Sequence, residues 1–421
     1  MRATFPAILA FLASPLFPGD WPCFHGPERN GISGETGFNT NWGERAPKVI
    51  WTQPLSDRGY CGPSVSSNRV FIIDHAPNPD GVRSLESNIL RAFDLATGRP
   101  LWSNGWSDPG GPLYGQARTT PTVYGGRVYT VGRWGLVSCF DAATGARQWS
   151  FDMAERYGGR IPEFRYSASP FFEGGRLILC PGGSNNPVAV DPQTGATLWK
   201  GDVVSFASGS NDYQIPSTYA TPVVDVVDGR RQFILYLAQG LFGADLETGR
   251  QRWAFPWRTP FDTHASLPLV VGPHQILIGA SYKQGAVLVH VSNSQATLGW
   301  SNGGLLMHFT SPILHKGFVY AVVDPERPGS LVCADPRTGD IRWRAEGFEK
   351  GAFLIADDLI IALAGKTGDL VLAKADPGAY TELGRLKNPL SGGGQNWSQP
   401  ILADKKIVMR CLWRVGVIDL N

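Results

Sequence analysis

No stretch of this 421-residue chain reaches eighteen consecutive apolar residues, the length that a membrane-spanning helix needs. Charge is sparse, at 18% of residues with a formal net charge of +2, and no five Lys/Arg stand in a row. A surface built for nucleic acid or another polyanion is therefore not expected. Cysteines number six, none adjacent to another, and their spacing is too wide for a disulfide framework. Cys139 and Cys333 stand two residues before Asp141 and Asp335, where Ala92 and Ala189 precede Asp94 and Asp191, so they read as small core residues. Cys180 and Cys411 lie in apolar runs and read the same way, which leaves Cys23 and Cys61 as candidates for pairing. No nucleophile elbow, phosphate loop or zinc pair is spelled anywhere, and no catalytic residue is assigned.

What the chain has in quantity is 51 Gly, 32 Pro and 14 Trp, a composition suited to many short strands joined by tight turns. At the N-terminus one positive charge precedes an apolar run from Phe5 to Phe17. The run is too short to span a membrane and right for the core of a signal peptide, so residues 1–19 are expected to direct export to the periplasm or beyond. Asp20-Trp21-Pro22 precedes Cys23 where a lipidation site would need small or aliphatic residues.

The phrase D-x-x-T-G-x-x-x-W sets the period. It occurs as Asp94-Thr97-Gly98-Trp102, Asp141-Thr144-Gly145-Trp149, Asp191-Thr194-Gly195-Trp199, Asp245-Thr248-Gly249-Trp253 and Asp335-Thr338-Gly339-Trp343. Worn copies stand at Ser292 with Trp300, at Asp376 without a Trp, and at Asp419 near the end. The eight anchors are spaced 47, 50, 54, 47, 43, 41 and 43 residues apart, the length of one propeller blade. Asp ends a strand and caps the turn amides, Gly takes the positive φ of the turn, and Trp opens the next strand as a flat packing surface.

Upstream of each phrase a proline opens an apolar strand, as in Pro63, Pro121, Pro170, Pro222, Pro268, Pro312 and Pro400, where no ladder hydrogen bond is lost. The seventh repeat lacks the proline but keeps its strands. The expected fold is all-β: eight four-stranded antiparallel blades over residues 47–421, following a leader of residues 20–46. After Asp419 only Leu420 and Asn421 remain, while Pro47 to Trp51 is a tryptophan strand with no blade of its own. The N-terminal strand is thus expected to complete the eighth blade and close the ring, removing its open edges.

This repeat resembles that of pyrroloquinoline-quinone-type propellers, a family that includes quinoprotein alcohol dehydrogenases and the propeller of the outer-membrane barrel assembly machinery. Residues Asp20 to Pro27, DWPCFHGP, with Gly31 following, look like the W-P-x-F-R-G-P leader of a secreted bacterial subgroup. The resemblance rests on packing residues and so implies the fold far more than an activity. Its enzymes hold the quinone over Ca²⁺, commonly capped by adjacent cysteines, and this chain has no adjacent pair. Asn185-Asn186, Asn211-Asp212 and Asp262 are its only tempting loop groups, and none stands in a matching motif. Of the tryptophans outside the repeat, Trp106, Trp134, Trp257 and Trp397 have no assigned place.

Inner strands of a propeller converge on the axis, so the residues just ahead of the strand prolines should gather at the channel mouth. These are Tyr60, Arg118, Tyr166, Tyr219, His264, His308, Asn396 and Trp397. Such a ring suits a small anion, a sugar or a peptide carboxylate, with Arg118 as the donor. The segments Ser103–Gln116 and Asp202–Ser217, with Trp106, Asp108, Tyr114, Asn211, Asp212 and Tyr213, are expected as long loops over the scaffold. The expected function is a non-catalytic scaffold, monomeric and without cofactor, that binds a protein or a small ligand. A quinone- and Ca²⁺-dependent alcohol or sugar dehydrogenase is the alternative.

Overall fold

The computed structural model describes residues 19–56, 58–110, 117–202, 219–259, 263–324 and 328–421. Their strands form eight four-stranded antiparallel sheets, seven of them running outward in chain order, with one further two-residue strand. The first blade shows the plan: Ser64–Ser66 innermost, then Arg69–Ala76, Ser87–Asp94 and Pro100–Ser107 outermost. Closure is as expected. Lys48–Pro54 forms the outer strand of the eighth blade, antiparallel to Arg414–Asp419, with Lys48 opposite Asp419.

Each repeat phrase locks a turn and then joins two blades. Asp141 Oδ1 accepts from the amides of Ala143 (3.0 Å) and Thr144 (2.8 Å) and from the Thr144 hydroxyl (2.8 Å), and Asp94, Asp191 and Asp245 do likewise. In all eight blades the outer strand pair carries a bulge at the register where the tryptophan sits or would sit. The indole then lies under the next blade's turn. A Cβ on Gly98 would come within 2.5 Å of Trp51, on Gly145 within 2.5 Å of Trp102, on Gly195 within 3.0 Å of Trp149, on Gly249 within 2.4 Å of Trp199, and on Gly339 within 2.7 Å of Trp300. The indole N–H usually donates to the carbonyl just after the turn's Asp: Trp51 to Leu95 (2.8 Å), Trp102 to Ala142 (3.2 Å), Trp149 to Pro192 (3.1 Å) and Trp300 to Pro336 (3.0 Å). Trp343 reaches the Asp376 carbonyl itself (2.8 Å).

Two boundaries depart from this pattern, and both departures follow from worn repeats. The turn after Trp253 begins at Ser292 and has no glycine, so Trp253 is drawn fully into its own blade and donates to Gln232 (2.9 Å). Gln232 in turn reaches Asn293 across the boundary (3.2 Å). Blade seven has Gly384 where its tryptophan would stand, and Trp42 of the leader fills the gap, 2.4 Å from a Cβ built there. The Leu420 carbonyl, which an indole would otherwise take, accepts the Asn39 amide instead (2.6 Å).

The leader also passes through the channel. Trp21 pairs antiparallel with Val65 of blade one, through N–H to carbonyl bonds of 2.9 and 2.8 Å. Next, the Val123 amide of blade two donates to Pro22 (2.8 Å), and Arg29 lies 4.3 Å from the Phe171 ring of blade three. Ile32–Ser33 then runs parallel to Ala352–Ala356, the inner strand of blade seven. A segment antiparallel to one inner strand and later parallel to another goes in and comes back out by the same end. That end carries the inner hairpins, where Asp20 accepts from Ser67 (3.0 Å) and Glu35 accepts the amides of Asp404 and Lys405 (2.7 and 2.6 Å).

Ser103–Ser107 was expected as loop and is strand, because the eight-residue partner Ser87–Asp94 keeps its ladder running to Ser87–Ser107. Trp106 is buried there, 6.0 Å from the Phe140 ring. All six cysteines are buried and free, Cys23 and Cys61 included. The apolar run Phe5–Phe17, Tyr114, Asn211, Asp212, Tyr213 and Asp262 lie outside the described residues.

Three substitutions, followed by chemical denaturation, test the indole packing: Trp253 within its own blade, and Trp149 and Gly98 across the boundary between blades. Trp253→Ala should lose about 3–5 kcal/mol, the range for a large buried aromatic, and Trp149→Ala, whose indole is partly exposed, less. Gly98→Ala combines a φ of +71° with a Cβ 2.5 Å from Trp51, so it should destabilise by more than about 1 kcal/mol. A neutral Gly98→Ala would refute the contact.

Candidate functional site

Antiparallel order sorts the connections onto two ends. Inner hairpins and D-x-x-T-G turns share one end, and the longer links between blades share the other. Those links bring one residue per blade to the axis, at a fixed offset of three before the strand proline. Tyr60, Arg118, Ser167, Tyr219, Ala265, Phe309 and Trp397 occupy this offset, and all seven line one central cavity of about 230 Å³.

Beneath them lies a collar of hydroxyls at the residue before the proline. The Thr120 amide donates to Ser169 Oγ (3.0 Å), the Ser169 amide to Thr221 Oγ1 (2.9 Å) and the Leu267 amide to Ser311 Oγ (3.1 Å). Each bond ties an inner strand to the next, so the wall is rigid.

Around the cavity the aromatic residues form a continuous surface. Tyr60 stacks on Trp397 with centroids 5.0 Å apart, and Phe309 lies 5.4 Å from Trp397. The Tyr60 hydroxyl donates to Gln395 (3.0 Å), and the Tyr219 hydroxyl accepts the Phe164 amide (3.2 Å). Lys350 Nζ lies 4.8 Å from the Trp397 centroid and 5.3 Å from that of Phe309, within cation–π range. Burial lowers the Arg118 pKa to about 10, opposed by Tyr219 and Tyr60 beside it, so it remains charged. His308 contacts Tyr282 OH (3.1 Å), and burial, then Lys350, push its pKa down to about 3. Two cations and a neutral histidine therefore face the cavity, and no described lining residue is a carboxylate.

Of the eight residues expected at the mouth, Tyr60, Arg118, Tyr219, His308 and Trp397 line the cavity. Tyr166, His264 and Asn396 do not. They stand four residues before the proline, where in extended chain a one-residue slip turns a side chain to the opposite side; His308 shares that offset and still borders the cavity. Tyr166 donates to the Pro181 carbonyl (2.7 Å). His264 stacks on Tyr236 with centroids 4.2 Å apart, and Asn396 donates to Gly393 (2.9 Å). Asp108 is buried 2.6 Å from Arg133 and does not reach the cavity. Asn185 donates to the Tyr157 carbonyl (2.9 Å), and Asn186 is buried.

Trp134 donates to the Pro109 carbonyl (2.8 Å), while Trp257 lies over His264 with centroids 6.0 Å apart. The lining residues not expected include Phe24, Phe164, Tyr282, Phe309 and Lys350. A strict offset of three would have found Phe309. Lys350 precedes the one inner strand without a proline marker, and nothing local placed Phe24 on the axis.

Comparison with known proteins agrees with this geometry. The europium-containing methanol dehydrogenase superposes with a TM-score of 0.68 at 12% identity, covering 96% of this chain and 98% of that one. A quinohemoprotein alcohol dehydrogenase from Comamonas testosteroni gives 0.67 at 14% identity, covering 95% and 80%. BamB from Moraxella catarrhalis gives 0.56 at 15% identity, covering 89% and 98%. No curated protein matches the sequence.

The class defined by fold and repeat is thus the pyrroloquinoline-quinone-like β-propeller. Within it, a family profile described as outer membrane protein assembly factor BamB matches residues 111–255 and 216–345, more than half of the chain, and the chain belongs to that family.

His25 is also buried, and burial alone lowers its pKa to about 3. An unfolded histidine titrates near 6.5, so below that pH the unfolded chain takes up more protons than the folded one. Stability is full above about pH 6.5 and declines as the pH falls toward 3. The melting temperature should drop between pH 7 and 5, while NMR shows His25 and His308 un-titrated over that range. Titration of either ring near pH 6.5 in the folded protein would contradict its burial.

Proposed function

We propose that this protein is a non-catalytic binding propeller, periplasmic or secreted, that holds a small organic anion in its central cavity. The carrying observation is the cavity's composition: Arg118 and Lys350 on an aromatic wall, with no carboxylate among the described lining residues. Desolvated cations favour a negative charge, and stacked rings favour a flat apolar body. Among the described residues no helix is long and apolar enough to cross a membrane.

A quinone over Ca²⁺ does not suit this donor set. The ion takes several hard oxygens, carboxylates among them, and the described residues hold no group of three or more metal-ligating side chains. Asp324 and Glu349 line an adjoining cavity of about 480 Å³. There Asp324 accepts the Lys350 amide (3.2 Å) and Glu349 lies 3.7 Å from Lys366. The family description favours a second reading, a scaffold for protein assembly.

Calorimetry with 2-naphthoate separates the two. Wild type should bind it, and Arg118→Gln should weaken binding about tenfold or more, as expected for loss of one charge-assisted contact, with little change in melting temperature. Absence of heat at millimolar naphthoate and benzoate would sink the small-ligand reading and leave the scaffold.

A further inference from the structure

We infer that the leader supplies the floor of the ligand cavity, and that Phe24 sets the depth of the site and so the size of anion it takes. This rests on the reading of the cavity as an anion site. Phe24 is the leader residue that lines the cavity. It also borders a separate void of about 10 Å³, with Cys23, Arg29, Pro170 and Phe171. Phe24, with Thr221, borders both spaces and forms part of the wall between them. Removal of the ring joins them and adds its volume to the site.

The rest of the leader holds that wall in place without the ring. Trp21 and His25 on either side are buried. Backbone bonds fix the segment to Val65 (2.9 Å), to Val123 (2.8 Å) and, from Gly31, to Ile355 (3.0 Å). Gly31 itself is pressed against the inner strand of blade six, where a Cβ would lie 2.5 Å from Ile313. Phe24 therefore hangs from an anchored backbone, and its substitution changes the cavity more than the fold. With its floor closed from the hairpin end, the cavity admits ligand from the opposite end only.

The test is a graded series, Phe24→Ala, Phe24→Leu and Phe24→Trp, with benzoate and 2-naphthoate measured by calorimetry on the full chain. The ratio of naphthoate to benzoate affinity should rise as the side chain shrinks, by about tenfold for Phe24→Ala, and fall for Phe24→Trp. Fit to an apolar pocket discriminates by roughly this amount per group. A ratio unchanged in variants that melt cooperatively would overturn the floor assignment. Wild type binding neither acid would instead overturn the anion-site reading beneath it. Should Phe24→Ala not fold, the opposite shifts expected of Phe24→Leu and Phe24→Trp still decide.

Discussion

The structure depends on the contact between each outer-strand indole and the glycine turn of the following blade. The ring packs flat under a glycine whose positive φ leaves no room for a Cβ, and in most copies the indole N–H takes a carbonyl that the turn leaves unpaired. Burial and the hydrogen bond act together: the aromatic area supplies most of the stabilisation, and the bond, about 1 kcal/mol net, fixes the angle. Because each blade meets only its neighbours, repetition of one angle decides whether the ring closes. Trp51 closes it with the same contact, since the strand that completes blade eight clasps the turn of blade one.

The leader supplies what the repeats lack. Where blade seven has lost its tryptophan, Trp42 enters from outside the ring and the Asn39 amide takes the vacated carbonyl. At the axis the leader satisfies inner-strand groups of Val65, Val123 and Ile355 that would otherwise face a solvent channel. An open tube thereby becomes a blind cup. Both functions explain the residue types in the segment: Trp21, Phe24 and Trp42 provide bulk, while Gly26 and Gly31 allow turns at φ of +82° and +74° against Trp21 and Ile313.

The blades were legible because the residues that make the contact stand together in each repeat, although each indole meets the turn of the next one. Asp, Gly and Trp of each phrase lie within nine residues, and the interaction recurs, so five intact copies expose three worn ones. The leader was not, because Trp42 opposite Gly384, and Phe24 in a cavity shared with Tyr219 and Trp397, are meetings across hundreds of residues with no periodic signal. The cavity falls between these cases. Its prolines marked the right places, but the residues taken just ahead of them mixed offsets of three and four, and Tyr166, His264 and Asn396 stand at four. Ser167, Ala265 and Phe309 hold the lining position at three. The fixed register of three was the better guide, since all seven residues at that offset line the cavity.

That register separates stability from recognition. The clasp occupies the turn end of every blade, and the lining residues occupy the connections at the other end. A substitution three residues before a proline alters the cavity without touching an outer-strand indole or a D-x-x-T-G turn. The same geometry explains how one scaffold superposes both on dehydrogenases and on an assembly factor at 12–15% identity. What these proteins share at that identity is the fold. In this chain the side chains around the axis include Arg118, the rings of Tyr60, Tyr219, Phe309 and Trp397, and a Lys350 contributed by the blade without its proline. None of the described lining residues is a carboxylate, so the charged side chains that border the cavity are both cations.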